Sequence, residues 1–364
     1  MNVAHITSVH PENDNRILYK EAVTLAKNGY DVTLIVSGGT YKNIDGVKRI
    51  SYPRVEGGRL KRMLKTSFFD MLKACKEVDA DIYHFHDPEL MFVGIYLKIK
   101  GKKVIYDIHE NNPASILSKP YIKSTILKRV LSKSFNLFEK SVVKIFDAVV
   151  TARPDISARF KHKKLITLRN FPILPKKNSI LKKGISKDKY SVIFVGNMTN
   201  IRGINQLLDA FELLENIELW LLGSIKEEAL SQRIHNGCKN VIYLGLVEPF
   251  EIFSYIEEAD IGIITFLEAP NHIHTLATKP FEYMACGKPM IMSNFPYWQE
   301  TFKESSLYVE PSNPKEIAQK IEELIHNKVL FKKMEKLNKE LSENEYNWDK
   351  ESEKLIDVYR SLEV

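Results

Sequence analysis

The feature that most constrains this chain is the alternation of short apolar runs with amphipathic helical stretches. In the first half the runs are 2-NVAHIT-7, 31-DVTLIVS-37, the centre of 79-DADIYHFHDPEL-90, 103-KVIYDIHENNP-113, 147-DAVVTA-152 and 164-KLITLRNFP-172. In the second half they are 191-SVIFVGN-197, 217-IELWLLG-223, 241-VIYLG-245, 260-DIGIITF-266, 289-PMIMS-293 and 307-LYVEP-311. Strands alternating with helices select parallel sheets of the doubly wound, Rossmann-like kind. In such sheets ligands gather outside the C-terminal ends of the strands.

A polar, basic stretch at 173–189, with Pro175 and Gly184, separates the two series and reads as a hinge. The 364 residues suit two ordinary domains. The predicted division is a first domain at 1–172, the hinge at 173–189, a second domain at 190–345 and a closing helix within 346–364. That helix runs from about Trp348 to Leu362, with Leu355, Ile356, Val358 and Tyr359 at helical spacing.

Several classes are excluded. No apolar run approaches the roughly 20 residues of a membrane span, and MNVAHITSVHPEND lacks a signal peptide's apolar core. Cys75, Cys238 and Cys286 have no paired spacing, which points to a reducing cytoplasm. The net charge is a modest +7, and no nucleic-acid-binding motif accompanies it.

The stretch 277-ATKPFEYMACGKPMIMSNFPYWQE-300 has the make-up of a ligand-holding loop, helix and strand. Phe281, Met284 and Ala285 share one side of the helix, and Glu282 lies on the other. The Glu282 carboxylate can accept two hydroxyl hydrogen bonds from a sugar or ribose. Lys279 offers a point charge to an anion, and the free N–H groups of the helix start near Thr278 add to it.

In the first half, the loop 8-SVHPENDNR-16 has no G-x-G-x-x-G, so a dinucleotide fingerprint is absent. Arg16 either reaches a phosphate from this loop or opens a solvated helix. Asp79 and Asp81 look like a metal-binding pair but begin a strand, away from the ligand end. His84 and His86 share a strand face, with no third zinc ligand at convincing spacing. No metal site is therefore expected. His86, Asp87 and His109 do fall at strand C-termini. A histidine in such a place is either packed and capping or a ligand contact. From about Lys119 to Lys144 a predicted helix carries seven basic residues against Glu139 alone, with Ile122, Ile126, Val130, Leu131, Leu137 and Phe138 on an apolar side. This is either a solvated face on a packed helix or a docking face for an anionic membrane.

The 277–300 stretch closely resembles the nucleotide-sugar-binding segment of the retaining glycosyltransferases of family 4, the "glycosyl transferases group 1", which have the GT-B fold. The resemblance extends over nearly the whole chain. It includes 196-GNMTNIRGI-204, where family members carry a basic residue between two glycines, and His109, which matches a histidine that touches the donor sugar. It implies an α/β chain of two Rossmann-like domains facing across a cleft, with the last helix crossing back to the first. It implies catalytic roles for His109, Arg202 and Lys279, and a donor site of Gly196, Asn197, Arg202, His274, Thr278, Lys279 and Glu282. Arg202 would hold the diphosphate, where a guanidinium supplies a fork of donors. Asn197 stands where many members have arginine. His274 stands where they have the first of two glutamates, so either His272 or His274 would take over that contact or the backbone N–H groups of the loop would act alone. Arg16, His86 and Asp87 would lie on the acceptor side.

The implied activity is retaining, metal-independent transfer without a cofactor from a nucleotide-diphosphate sugar, with a UDP-sugar favoured over GDP-mannose. The acceptor would be a glycan or lipid-linked sugar of bacterial surface polysaccharide. The implied place is the cytoplasm, peripheral on the inner membrane face. A nucleotide-sugar epimerase of this fold and a catalytically silent partner subunit are the alternatives.

Overall fold

Each series of apolar runs builds one all-parallel sheet. The computed structural model describes the chain except residues 40–41, 54–61, 120, 176–188, 249–250, 274 and 364. It divides into two units, Met1–Asn170 with Asp349–Val364, and Phe171–Trp348. Most of the proposed hinge lies outside the described residues.

The first unit contains β1 (Asn2–Thr7), β2 (Asp31–Ser37), β3 (Lys48–Tyr52), β4 (Ile82–Phe85), β5 (Lys103–Ile108), β6 (Ala148–Thr151) and β7 (Leu165–Thr167). They form a seven-stranded sheet in the order β3-β2-β1-β4-β5-β6-β7. The second contains β8 (Tyr190–Val195), β9 (Ile217–Leu222), β10 (Val241–Gly245), β11 (Ile261–Ile264), β12 (Met290–Ser293) and β13 (Leu307–Val309), in the order β10-β9-β8-β11-β12-β13. All the pairings are parallel. Strand order reverses between β1 and β4 and again between β8 and β11, and a doubly wound sheet opens its ligand crevice at such points.

The strands read as continuous apolar runs because helices cover both faces. In the second unit, alternate residues go to opposite cores. Phe194, Leu219, Leu221 and Ile263 pack with Leu207, Leu208, Phe211 and Ile321. Ile193, Trp220, Ile264 and Met292 pack with Phe281, Met284 and Trp298. In the first unit, Ile6, Phe85, Tyr106 and Val149 share a core with Met71, Val93 and Phe146.

Local signals explain the ends of elements. The Asp14 side chain accepts from the backbone N–H groups of Arg16 and Ile17 and starts a helix that is π-type over Asn15–Ala22 and α over Val23–Lys27. Gly29 stops it at φ +90°. The helix predicted from about Lys119 to Lys144 starts later, at Thr125, and runs to Val142, after a break that separates it from the helix Asn112–Leu117. The break is set by Ser124, whose side chain accepts from Leu127 N–H at 3.2 Å and so begins a new helix. Its sole acid, Glu139, is buried against Arg159, Tyr106 and Asn112. The apolar side is only partly packed: Phe138 lies against the core, while Ile126, Val130 and Leu137 are exposed. β3 and the helices Met71–Val78 and Met91–Ile99 are additions that the sequence reading does not contain.

The last helix, Trp348–Arg360, contributes its residues from Asp349 onward to the first unit. Leu355 and Tyr359 are buried there. Tyr30 Oη donates to Glu363 Oε1 at 2.5 Å, and Lys164 Nζ donates to the Ser361 carbonyl at 2.7 Å. Among the described residues no helix is long and apolar enough to cross a membrane.

Candidate active site

In the second unit a pocket of about 460 Å³ is lined by Val195, Gly196, Asn197, Arg202, Phe266, His272, Thr275, Ala277, Thr278, Lys279 and Trp298. It lies where β8 and β11 end, at the reversal of strand order. Its floor depends on glycine. Gly203 has φ +72°, and a Cβ there would stand 1.8 Å from the Thr265 carbonyl oxygen. Only a bare α-carbon lets this loop cross the end of β11 and enter the helix Ile204–Glu212.

Arg202 precedes that glycine. Its Nη1 donates to the Asn197 carbonyl at 3.1 Å, and its guanidinium carbon lies 5.3 Å from the centre of the Phe266 ring. The loop backbone and an aromatic face thus hold a half-buried cation at the pocket wall. The second cation, Lys279, starts the helix Lys279–Ala285. Tyr283 fixes that helix on the sheet, since its hydroxyl donates to the Ile193 carbonyl at 3.1 Å and accepts from Val195 N–H at 3.2 Å. Its ring fits because residue 262 is glycine; a Cβ there would lie 2.3 Å from Tyr283 Cδ2.

Glu282 stands beside the pocket, one helical turn after Lys279. It is half-buried and accepts from Lys279 Nζ at 2.6 Å, so the pair partly neutralises itself. Pro280 at the first turn of the helix has no N–H to give. The helix start near Thr278 therefore offers fewer backbone donors than the sequence suggests, and anion binding falls to the two cationic side chains. His272 is buried, and its Nδ1 donates to the Leu267 carbonyl at 3.0 Å. Trp298 Nε1 donates to the Thr275 carbonyl at 2.7 Å and anchors the loop before Lys279. His274 lies outside the described residues.

In the first unit the residues at the mouths of β1, β4 and β5 form one buried cluster. Asp107, at the end of β5, is its centre. Arg16 donates from Nε to Oδ2 and from Nη2 to Oδ1, both at 3.1 Å, and from Nη1 to the Leu168 carbonyl at 2.7 Å. Arg16 Nε also lies 2.9 Å from Glu21 Oε1. His109 Nε2 approaches Asp107 Oδ2 at 2.7 Å, and His86 Nδ1 approaches it at 3.2 Å. Burial opposes charge on Asp107, but Arg16 and then His109 outweigh it and hold the carboxyl well below its usual range. Glu21 goes the other way. Burial and the Asp107 charge raise it well above the usual carboxyl value. The cluster thus balances one guanidinium with one carboxylate.

This geometry corrects the expectation for Arg16 and gives Asp87 and His86 supporting places. Arg16 is buried and bonded to Asp107, Glu21 and Leu168, so it braces the site and does not reach out to a phosphate. Asp87 is buried and accepts from Thr7 Oγ1 and Ser8 N–H, each at 2.7 Å, and thereby ties down the first loop. His86 is also buried and is bonded to His5 and Asp107. It supports the site from within. His109 keeps a partly exposed ring, at 16%, and so can touch a ligand.

Among the described residues, two groups bring metal-ligand atoms together: His5, Glu21, His84 and His86, and His86, Asp107 and His109. In both, the Arg16 guanidinium already stands beside the acidic side chain, at 2.9 Å from Glu21 and 3.1 Å from Asp107. A cation added there would meet a fixed positive charge at close range. The donor set fits a hydrogen-bonded cluster better than a resident ion.

Comparisons with known proteins agree with this arrangement. A family profile described as "Glycosyltransferase Family 4" matches residues 15–171, and one described as "Glycosyl transferases group 1" matches residues 189–327. An uncharacterized glycosyltransferase of Methanocaldococcus jannaschii is 25% identical over 92% of this chain and 91% of its own length. Among solved structures, sucrose-phosphate synthase of Thermosynechococcus elongatus superposes with a TM-score of 0.74 at 17% identity, covering 99% of this chain and 98% of that one. Anabaena HepE, solved in complex with UDP and glucose, gives 0.71 at 13% identity, covering 99% and 100%.

Proposed function

The chain belongs to the group 1, family 4 glycosyltransferases and has the GT-B fold; from that premise we propose that it moves a sugar from a UDP-sugar to a hydroxyl of a glycan or lipid-linked acceptor, with retention of configuration and without a metal ion. The observation that carries this reading is the pairing of Arg202 with Lys279 in one pocket at the β8/β11 reversal. A diphosphate leaving group gathers negative charge as the glycosidic bond breaks. Two cations fixed beside it stabilise that charge and supply what a metal ion would otherwise bring.

In this assignment Arg202 and Lys279 hold the diphosphate, with the backbone of Gly196 and Asn197 beside them. Glu282 takes the ribose hydroxyls and steers Lys279. Thr278 and His272 line the sugar end, and His109 contributes a ring nitrogen to a sugar hydroxyl. Retention follows if the acceptor hydroxyl attacks on the face that the phosphate leaves. The protein then has only to place two reactants and hold the leaving group. UDP is preferred over GDP because HepE, of the same fold, was captured with UDP and glucose.

On the acceptor side, the helix Thr125–Val142 is assigned to an anionic membrane surface, as suits a lipid-linked acceptor in surface polysaccharide assembly. It leaves Ile126 76% and Leu137 70% exposed, alongside Lys123, Arg129 and Lys133. A helix with apolar and basic residues both facing outward binds at a lipid interface.

The test is calorimetric titration of the whole chain with UDP and with GDP, followed by turnover of a panel of UDP-sugars with and without excess chelator. Tight binding of UDP and chelator-resistant turnover are expected. Binding of neither diphosphate overturns the donor assignment, and activity lost to chelator and restored by magnesium overturns the metal-free chemistry.

A further inference from the structure

The first unit contains three buried histidines that the donor chemistry does not use. His5 on β1 and His84 on β4 are cross-strand partners, and His86 follows two residues on. Their rings pack together at centroid distances of 4.7 to 5.2 Å. Tyr359 of the last helix is fully buried beside them. Its hydroxyl lies 3.0 Å from His84 Nδ1 and 3.3 Å from His5 Nε2. His5 Nδ1 in turn lies 2.9 Å from His86 Nε2. A continuous path therefore leads from Tyr359 through His5 and His86 to Asp107, the residue on which His109 rests.

The sense of every bond on this path follows from Asp107. A carboxylate only accepts, so His86 Nδ1 and His109 Nε2 must both carry protons. Neutral His86 then presents a bare Nε2, which His5 can bond only by donating from Nδ1. Neutral His5 is left with a bare Nε2, and this accepts the Tyr359 proton. The Tyr359 oxygen, having donated, accepts from His84 Nδ1. The path ends at His84 Nε2, which carries no proton in this scheme. That atom is buried and has no hydrogen-bond partner, so the loose end is a lone pair and no N–H is stranded. The opposite sense would set the bare nitrogen of His86 against the Asp107 carboxylate.

We propose that Tyr359 is a positioning residue for His109, acting through the ordered bonds Tyr359–His5–His86–Asp107. The path holds the Asp107 carboxylate so that His109 donates from Nε2 and turns its bare Nδ1 outward, able to accept a hydroxyl proton. This rests on the assignment of His109 to a sugar hydroxyl only for its effect on turnover; the proton order stands or falls by itself.

The experiment uses the full chain labelled with ¹⁵N-histidine. In the unaltered protein the side-chain nitrogen spectra should show His5, His84 and His86 as Nδ1–H forms and His109 as the Nε2–H form. An Nε2–H form at His5 or His86 overturns the proposal without any variant. Tyr359→Phe should shift the ring nitrogens of His5, His86 and His109, and should lower kcat several-fold with little change in KM for the donor. Tyr30→Phe is the control. Its hydroxyl bonds Glu363 just beyond the same helix, and its ring meets that of Tyr359 edge-on at 5.5 Å, yet it lies off the path, so the histidine spectra should not move. Unmoved His86 and His109 nitrogens in Tyr359→Phe overturn the positioning role. Shifted nitrogens with unchanged turnover leave the path standing and reject the role of His109.

Discussion

The Arg16 guanidinium clasps the Asp107 carboxylate with two parallel hydrogen bonds, Nε to Oδ2 and Nη2 to Oδ1, each 3.1 Å long. Both side chains are buried. Removing one partner would leave the other charged and dry, at a cost on the order of 3–5 kcal/mol. Arg16→Met should therefore lower the unfolding midpoint of the first unit sharply in a denaturant titration. A midpoint equal to the parent's would mean that the pair does not brace the site.

Arg202→Ala should reduce turnover by about tenfold or more, because one of two charges facing the departing phosphate is lost. Arg202→Lys should recover only part of it, since a point charge cannot reproduce the fork. Steady-state rates with the best UDP-sugar check both, and full activity in the alanine variant would remove Arg202 from the diphosphate.

Glu282→Ala should weaken UDP binding by about 1–3 kcal/mol, the range for hydrogen bonds to a charged group. The same change frees Lys279 from its 2.6 Å partner, so inorganic pyrophosphate should bind no more weakly than before. Calorimetry with the two ligands separates the effects. Equal UDP affinity in parent and variant would leave Glu282 only as the partner of Lys279.

Acid should destabilise the first unit from near neutrality. Burial, with the neighbouring rings adding to it, holds His5 and His84 well below their usual value, and burial outweighs the pull of Asp107 to bring His86 down to about 4. These rings are neutral when folded and take up protons on unfolding once the pH drops below 6.5. Below 6.5 the unfolded chain takes up protons on three rings that stay neutral when folded, while Glu21, raised in the folded state, works the other way for one proton; the three rings outweigh it, so stability falls with falling pH. Thermal unfolding at pH 7, 6 and 5 should show this slope, and His84→Asn should flatten it. A midpoint independent of pH over that range would refute it.

Ile126→Ser with Leu137→Ser should cut binding to vesicles containing anionic lipid while leaving binding to UDP intact. Flotation at low and high salt measures it. Retention of the double variant on the vesicles would take the membrane role away from this helix.

Much of the fold was legible because each parallel strand is a short apolar run bounded by polar or glycine residues. β1 and β2 have the limits that their sequences suggest. Arg202 came from the family resemblance and Lys279 from its place before a helix, and the structure brings both to one pocket. The histidine cluster was not. His5 reads as part of a buried strand, and only the pairing of β1 with β4 sets it opposite His84. Arg16 misled for a related reason. A loop arginine looks solvated until β5 brings Asp107 beneath it. The break before Thr125 was also missed, since the basic residues continue across Ser124 without interruption.

Residues 349–364 complete a unit whose other part ends at Asn170. During synthesis the seven strands of that unit leave the ribosome long before Tyr359 does. Until the whole second unit has been made, the histidine rings have no lid, and the nascent first unit must wait with a polar hollow open to water. A stop codon late in the gene would therefore injure the half of the protein that had already been translated.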